Sequence, residues 1–191
     1  ISVAEAPLPC ERPGLLSPFP MGEIPVAEDR AAPSRAFAKL LEAELRLGLG
    51  ITAGERCVDL GASPGSWTYS ARRRGASVIA VDRAPLREDL MRDPGVSFHR
   101  GDAFRFKPPA PVDWLLCDVI AAAAETWRML EAWIAKRWCR RFVVTLKLRA
   151  GEDPALLRGV RHHLAAVASP LLLRRLCANK NEVCVAGALR D

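Results

Sequence analysis

The chain has 191 residues, half of them hydrophobic, so it is long enough for one domain with a buried core. Its net charge of +6, 28 basic against 22 acidic residues, fits a polyanionic partner such as RNA. No apolar run reaches the roughly 18 residues of a membrane span. Ile1 to Pro9 lacks the basic start of a signal peptide, and six scattered cysteines with three histidines show no zinc-ligand spacing.

Residues 1–33 hold Pro7, Pro9, Pro13, Pro18, Pro20, Pro25 and Pro33, a density that excludes a long helix. They read as a proline-rich arm ahead of a folded domain over 34–191. A helix is expected from Ser34, its cap, to about Leu47, with Phe37, Leu40, Leu41 and Leu45 as its apolar stripe. Lys39 lies beside that stripe, where a lysine usually snorkels. Arg56–Leu60 reads as a strand, Ser66–Arg74 as a helix stopped by Gly75, and Ser77–Val81 as a second strand. A short helix or turn over Pro85–Met91 precedes a strand at Val96–His99. Asp113–Asp118 is a buried strand ending in a carboxylate. Ala121–Trp138 is the longest helix, with Trp127, Leu130, Ile134 and Trp138 near one stripe. Phe142–Leu148 is a strand carrying Lys147, and Pro154–Ala168 is a helix ended by Ser169-Pro170. Leu171–Ala178 and Glu182–Leu189 pair as a hairpin across Asn179-Lys180-Asn181. Cys57, Cys117 and Cys184 fall in apolar runs, as reduced core cysteines of a cytoplasmic protein would. The alternation predicts an α/β fold: a mostly parallel sheet with helices on both faces and one antiparallel strand from the C-terminal hairpin.

The stretch Cys57-Val-Asp-Leu-Gly-Ala-Ser-Pro-Gly-Ser-Trp67 is a strand, a tight turn and a helix start. Gly61 and Gly65 bracket the turn, where glycine permits φ > 0 and a close ligand. The helix start offers unpaired N–H groups, and Asp59 lies at the strand end, where open α/β sheets bind ligands. The spacing is G-x-x-x-G, not the G-x-G-x-x-G of dinucleotide sites. A second carboxylate, Asp82, ends the next strand, a position suited to a ribose diol. Together these resemble the S-adenosyl-L-methionine pocket of class I methyltransferases, whose Rossmann-like layout matches the element order.

Asp118, Lys147 and Glu182 lie at strand ends or starts that share one rim, and Lys39 can pack over it from the preceding helix. Lys147 stands where the apolar pattern of its strand calls for another hydrophobe. Each residue alone reads as a surface charge. A Lys-Asp-Lys-Glu set in this order resembles the FtsJ-type ribose 2′-O-methyltransferases. More narrowly, the sequence is similar to the bacterial 23S ribosomal RNA cytidine 2′-O-methyltransferase family, RlmM. The pieces that carry this are Ala32-Pro-Ser-Arg-Ala-Phe-Ala-Lys39, the turn through Tyr69, Ala80-Val-Asp82 and Gly101-Asp-Ala-Phe-Arg-Phe-Lys-Pro-Pro109, followed by Val112-Asp-Trp-Leu-Leu-Cys-Asp118, Trp138-Cys139, Thr145-Leu-Lys-Leu148 and Asn181-Glu-Val183. The similarity runs from about Ser17 to Leu189. Ser66 departs from it, standing where the family usually has a second consecutive Gly. The family also carries an N-terminal RNA-binding region before its catalytic part, and here at most some thirty residues precede that part. The resemblance does not extend to that region, so the RNA target is open.

What the resemblance implies is methyl transfer from S-adenosyl-L-methionine to a ribose 2′-hydroxyl of large-subunit ribosomal RNA. Lys147 is then the base, Lys39 a neighbouring positive charge, and Asp118 and Glu182 the groups that orient the lysines. A lysine acts as a base only when its pKa falls; a nearby cation and partial burial favour this, and a carboxylate opposes it. The resemblance further implies that Asp59, Gly61, Ala62, Ser63, Pro64, Gly65 and Trp67 line the methionine end of the cofactor, that Asp82 binds its ribose, that Asp102 meets its adenine, and that Asp118 borders the same pocket. Rival chemistries fit less well. Cys117-Asp118-Val119-Ile120 is not the Asn/Asp-Pro-Pro-aromatic segment of base N-methylation, and Cys117 lies inside an apolar strand, unlike a C5-methylation nucleophile. The alternative of another class is a non-catalytic S-adenosyl-L-methionine or RNA-binding module, or a ribosome-assembly module of the same fold. No metal and no membrane partner are expected.

Overall fold

The computed structural model describes residues 24, 26–148 and 154–190. Most of the proposed arm, including Cys10, lies outside these. Seven strands form one sheet in the order β3-β2-β1-β4-β5-β7-β6. In chain order the elements are α1 (Phe37–Leu47), β1 (Arg56–Leu60), α2 (Ser66–Arg72), β2 (Ser77–Asp82), α3 (Glu88–Met91), β3 (Val96–Arg100) and β4 (Val112–Cys117), then α4 (Ala123–Ala135), β5 (Cys139–Lys147), α5 (Pro154–Val167), β6 (Ala168–Arg174) and β7 (Glu182–Leu189). β1 to β5 pair in parallel, and β7 runs antiparallel to both β5 and β6. This is the doubly covered sheet that the alternation predicts.

Strand periodicity explains the layers, because successive side chains point to opposite faces. Val58, Leu60, Leu115, Cys117, Phe142 and Val144 pack with Trp127, Leu130 and Trp133 of α4 and Leu164 of α5. Cys57, Trp114, Leu116, Val143, Cys184 and Ala186 pack with Leu40 of α1, Trp67 of α2 and Leu90 of α3. Cys57, Cys117, Cys139 and Cys184 are buried free thiols, and Cys177 is exposed.

Four differences from the sequence expectation have local causes. α1 starts at Phe37 with Ala36 as its cap and no side-chain cap bond. Ser34 instead shares a hydroxyl–hydroxyl bond with Ser66 and accepts from the Ala36 N–H. Phe37 and Leu40 of the expected stripe are buried, but Leu45 is 59% exposed and Glu42 and Glu44 are buried, so the inward face of α1 is only partly the apolar stripe. Glu42 is held there by Arg46 and by the Cys177 N–H, and Glu44 by Arg74 and the Ile51 N–H. α4 ends at Ala135, because Arg137 takes a φ of 51° and turns Trp138 away from the helix. β6 begins at Ala168, so Ser169-Pro170 lies within the strand and does not precede it.

Candidate active site

The face of the sheet that α1 covers carries a file of polar groups at its carboxyl rim. On β5, Val143, Thr145 and Lys147 alternate onto that face. Lys147 stands directly opposite Glu182 in the antiparallel β5–β7 register. Asp118 follows the last residue of β4, one strand away. α1 lays Lys39 over them, 8% exposed. The four residues singled out from sequence therefore meet, although they span 143 positions between Lys39 and Glu182.

Their geometry is unequal. The Lys39 ammonium donates to Glu182 Oε1 and Oε2 at 2.8 and 2.9 Å and to Asp118 Oδ2 and Oδ1 at 3.1 and 3.3 Å. Burial works to depress the pKa of Lys39, but the bonds and charges of Glu182 and Asp118 outweigh it and raise the value. Lys39 is thus held as a cation. Lys147 makes one short bond, 2.7 Å to Asp118 Oδ1, and stands 3.6 Å from Glu182 Oε1. Its side chain is also about twice as exposed, 22% against 10% for Lys39. The Lys39 charge is thus matched by carboxylates within the cluster, as a nearly buried ion requires. Sequence reasoning missed Thr145, a fully buried residue whose hydroxyl donates to Asp118 Oδ1 at 2.5 Å. The available signal was its place two residues before Lys147, hence on the same strand face.

A cavity of about 310 Å³ opens on one side of this cluster, bordered by Gly61, Ser63, Asp82, Asp102, Phe104, Asp118 and Val119. Such a volume is in the range of small-molecule sites. Its wall is acidic and partly apolar. Gly61 has φ of 73°, and a Cβ there would come within 2.9 Å of the Val119 backbone, so the turn can approach β4 only as glycine. Asp82 fixes the turn by accepting from the Ser63 N–H at 3.0 Å and from the Ala84 N–H at 2.8 Å. Asp102 borders the cavity too; it pairs with Arg83 at 2.7 Å and accepts from the Phe104 N–H, and these contacts hold its carboxyl below the usual range. Sequence reasoning did not foresee Arg83 beside it.

Behind the turn, a recess of about 50 Å³ is bordered by Asp59, Ala62, Ser63, Pro64, Trp67 and Asp118. Asp59 is buried and bonded by the Thr68 hydroxyl at 2.7 Å. Burial pushes its carboxyl up to about 7, and the Asp118 and Asp82 charges add to this, while the Thr68 hydroxyl and N–H oppose it. Trp67 spends its indole N–H on the Ala36 carbonyl at 2.8 Å, pinning the start of α1 to the turn. Gly65, φ 109°, caps α2. On the far side of the cluster a wider cleft, about 870 Å³, is bordered by Arg35, Phe37, Lys39, Asn179, Lys180 and Glu182. The ionic cluster stands between the two spaces, with Asp118 facing one and Lys39 and Glu182 the other. Among the described residues, no group of acidic, His and Cys side chains is disposed to hold a metal ion, and no helix is long and apolar enough to cross a membrane.

Residues 32–150 match the family model of FtsJ-like methyltransferases. The chain is 40% identical over 159 residues to the ribosomal RNA large subunit methyltransferase M of Halorhodospira halophila, covering 77% of this chain and 47% of that protein. It is 38% identical over 181 residues to the protein of the same name from Azotobacter vinelandii, covering 86% of this chain and 50% of that one. The chain thus spans about half the length of these relatives. Among solved structures, fibrillarin in its complex with Nop5p superposes with a TM-score of 0.60 at 17% identity, over 81% of this chain and 83% of that one. A putative hemolysin from Streptococcus thermophilus gives 0.65 at 19% identity, over 87% and 70%. At such identities these structures speak for the fold alone.

Proposed function

This chain belongs to the FtsJ-like methyltransferase family, and from that premise we propose that it is an S-adenosyl-L-methionine-dependent ribose 2′-O-methyltransferase acting on a cytidine of large-subunit ribosomal RNA. The observation that carries the reading is the ionic cluster itself, two lysines threaded between two carboxylates with one lysine left under-bonded, set between a cavity and a cleft. The curated relatives, named as methyltransferases of large-subunit ribosomal RNA, support the substrate.

The cavity suits the cofactor in shape and charge. Its carboxylates Asp82, Asp102 and Asp118 match a ribose diol, an adenine edge and a cationic end, and Phe104 and Val119 give an apolar wall. When bound, S-adenosyl-L-methionine supplies an already activated methyl group, so the protein's task is alignment and removal of one proton. Gly61, Ala62, Ser63, Pro64 and Gly65 shape the wall, and Asp59 and Trp67 brace it from behind. Lys147 takes the proton of the 2′-hydroxyl as that oxygen attacks. Lys39 stays charged and fixes both carboxylates. Asp118, aimed by Thr145 and Lys39, holds the Lys147 nitrogen toward the acceptor, and Glu182 does so from the opposite strand. The net charge of +6 suits the RNA partner.

The test is methyl transfer from isotopically labelled S-adenosyl-L-methionine to unmodified large-subunit ribosomal RNA, with the product digested to nucleosides. Label in 2′-O-methylcytidine is the expected result. Label in a base-methylated nucleoside, or cofactor binding with no product, would contradict it, the latter favouring the non-catalytic module.

A further inference from the structure

The wide cleft beyond Lys39 and Glu182 has a feature that the chemistry above leaves unused. Its rim carries Arg35 and Lys180, both exposed. Its wall carries Asn179, which is only 7% exposed. The Asn179 Nδ2 donates to the Glu182 carbonyl at 3.1 Å, which fixes which way the amide faces. Its Oδ1 is the one buried side-chain polar atom among the described residues without a hydrogen-bond partner. An orphaned buried acceptor costs stability, and folded proteins keep few of them. This one sits in the turn leading into Glu182, whose carboxylate grips Lys39.

We infer that Asn179 is a specificity-determining residue that reads the base of the acceptor nucleotide, its Oδ1 accepting a hydrogen bond from an exocyclic amino group. The inference rests on the ribose-methylation reading of the neighbouring cluster. With Nδ2 committed to Glu182, the amide offers only an acceptor. Cytosine presents an amino donor where uracil presents a carbonyl, and two acceptors face to face would leave both unpaired. Oδ1 is covered in the free protein, so the amine reaches it as the exposed Lys180–Asn181 turn gives way on RNA binding. The bound state then recovers what the orphan costs the free state. Arg35 and Lys180 at the rim suit the flanking phosphates, contacts that position the strand without reading it.

The experiment uses two ribosomal RNA fragments that differ only in cytidine or uridine at the acceptor position. Methyl transfer to each is measured for the wild-type chain and for Asn179→Leu, with cofactor affinity and thermal unfolding as controls for folding. The wild type is expected to prefer cytidine. Asn179→Leu should lower kcat/KM for the cytidine fragment roughly ten- to hundredfold more than for the uridine fragment, so the preference collapses. An equal loss on both fragments is what a purely structural role through Glu182 gives, and it overturns the inference, as does an unchanged preference. Asn179→Asp, which keeps the acceptor, should keep the preference while losing overall rate. If Asn179→Leu does not fold, a lost preference in Asn179→Asp overturns the inference. A wild type that methylates both fragments equally refutes the base readout alone, whereas one that methylates neither refutes the ribose-methylation reading.

Discussion

The carboxyl rim of the sheet has two halves built on opposite principles. At the ends of β1, β2 and β3, carboxylates face an open cavity beside a turn shaped by Gly61 and held by the bonds from Ser63 and Ala84 to Asp82. At the ends of β4 and β5 and the start of β7, ionic side chains are paired with one another, and the wall is Lys39, Asp118, Thr145, Lys147 and Glu182 in contact. An open cavity lined by carboxylates can select a ligand by shape and charge. A compensated ionic cluster keeps nearly buried charged groups in place, and on the proposed reading it positions Lys147 for the chemistry. Damage to the first half should therefore appear in affinity, and damage to the second in rate.

The largest effect is expected at Lys147. Lys147→Ala should lower the methyl-transfer rate by about two to four powers of ten, the usual contribution of a general base, while cofactor affinity measured by calorimetry stays near the wild-type value. Next is Asp82→Ala, which frees the Ser63 and Ala84 N–H groups and unpins the turn. Hydrogen bonds to a charged group contribute roughly 1.5–3 kcal/mol, so cofactor affinity should weaken by at least about tenfold, with the rate at saturating cofactor less affected. Thr145→Val, nearly equal in volume, removes the hydroxyl that aims Asp118. It should cost about 1–2 kcal/mol of stability in urea unfolding and reduce the rate modestly with no change in cofactor affinity. A Thr145→Val protein with wild-type stability and rate would show that the two lysines position Asp118 without the hydroxyl.

The smallest effect on activity is expected at Asp59. Its carboxyl is raised to about 7 in the folded chain, from an ordinary value near 3.8. The folded state then binds more protons than the unfolded state between those values, so its stability falls as pH rises through that window. Asp59→Asn should flatten this part of a plot of unfolding temperature against pH. An unchanged slope would place the dependence on another group.

How much of this was legible in the sequence differs between the halves as well. The strands β1 and β7 read at their observed limits, because apolar runs bounded by glycine, proline or polar turns leave little choice. Lys147 and Asp118 could be found because each interrupts or ends a buried strand, and a charge at such a place needs a reason. Lys39 was harder, since on a helix it resembles any edge lysine; only its partners 79 and 143 positions away make it different. The inward face of α1 was legible only in part: Phe37 and Leu40 are buried as the apolar pattern indicates, and the buried glutamates were not foreseen. Glu42 and Glu44 are buried by bonds to Cys177, Ile51 and Arg74, while Leu45 faces solvent. Long-range ionic partners outweigh the local apolar pattern there, and the pattern carries no trace of them. Asn179 is the same case in miniature, an ordinary turn residue by composition whose meaning lies in a bond to Glu182 and an unpaired oxygen.

The division of labour between the two halves is tested most directly by one paired measurement. Cofactor affinity and single-turnover methyl transfer to RNA at saturating cofactor are determined for Lys147→Ala and Asp82→Ala together. Lys147→Ala is expected to lose the rate and keep the affinity, while Asp82→Ala loses the affinity and keeps most of the rate. Full single-turnover activity in Lys147→Ala would contradict this division, and the proton would have to leave the ribose hydroxyl by another route.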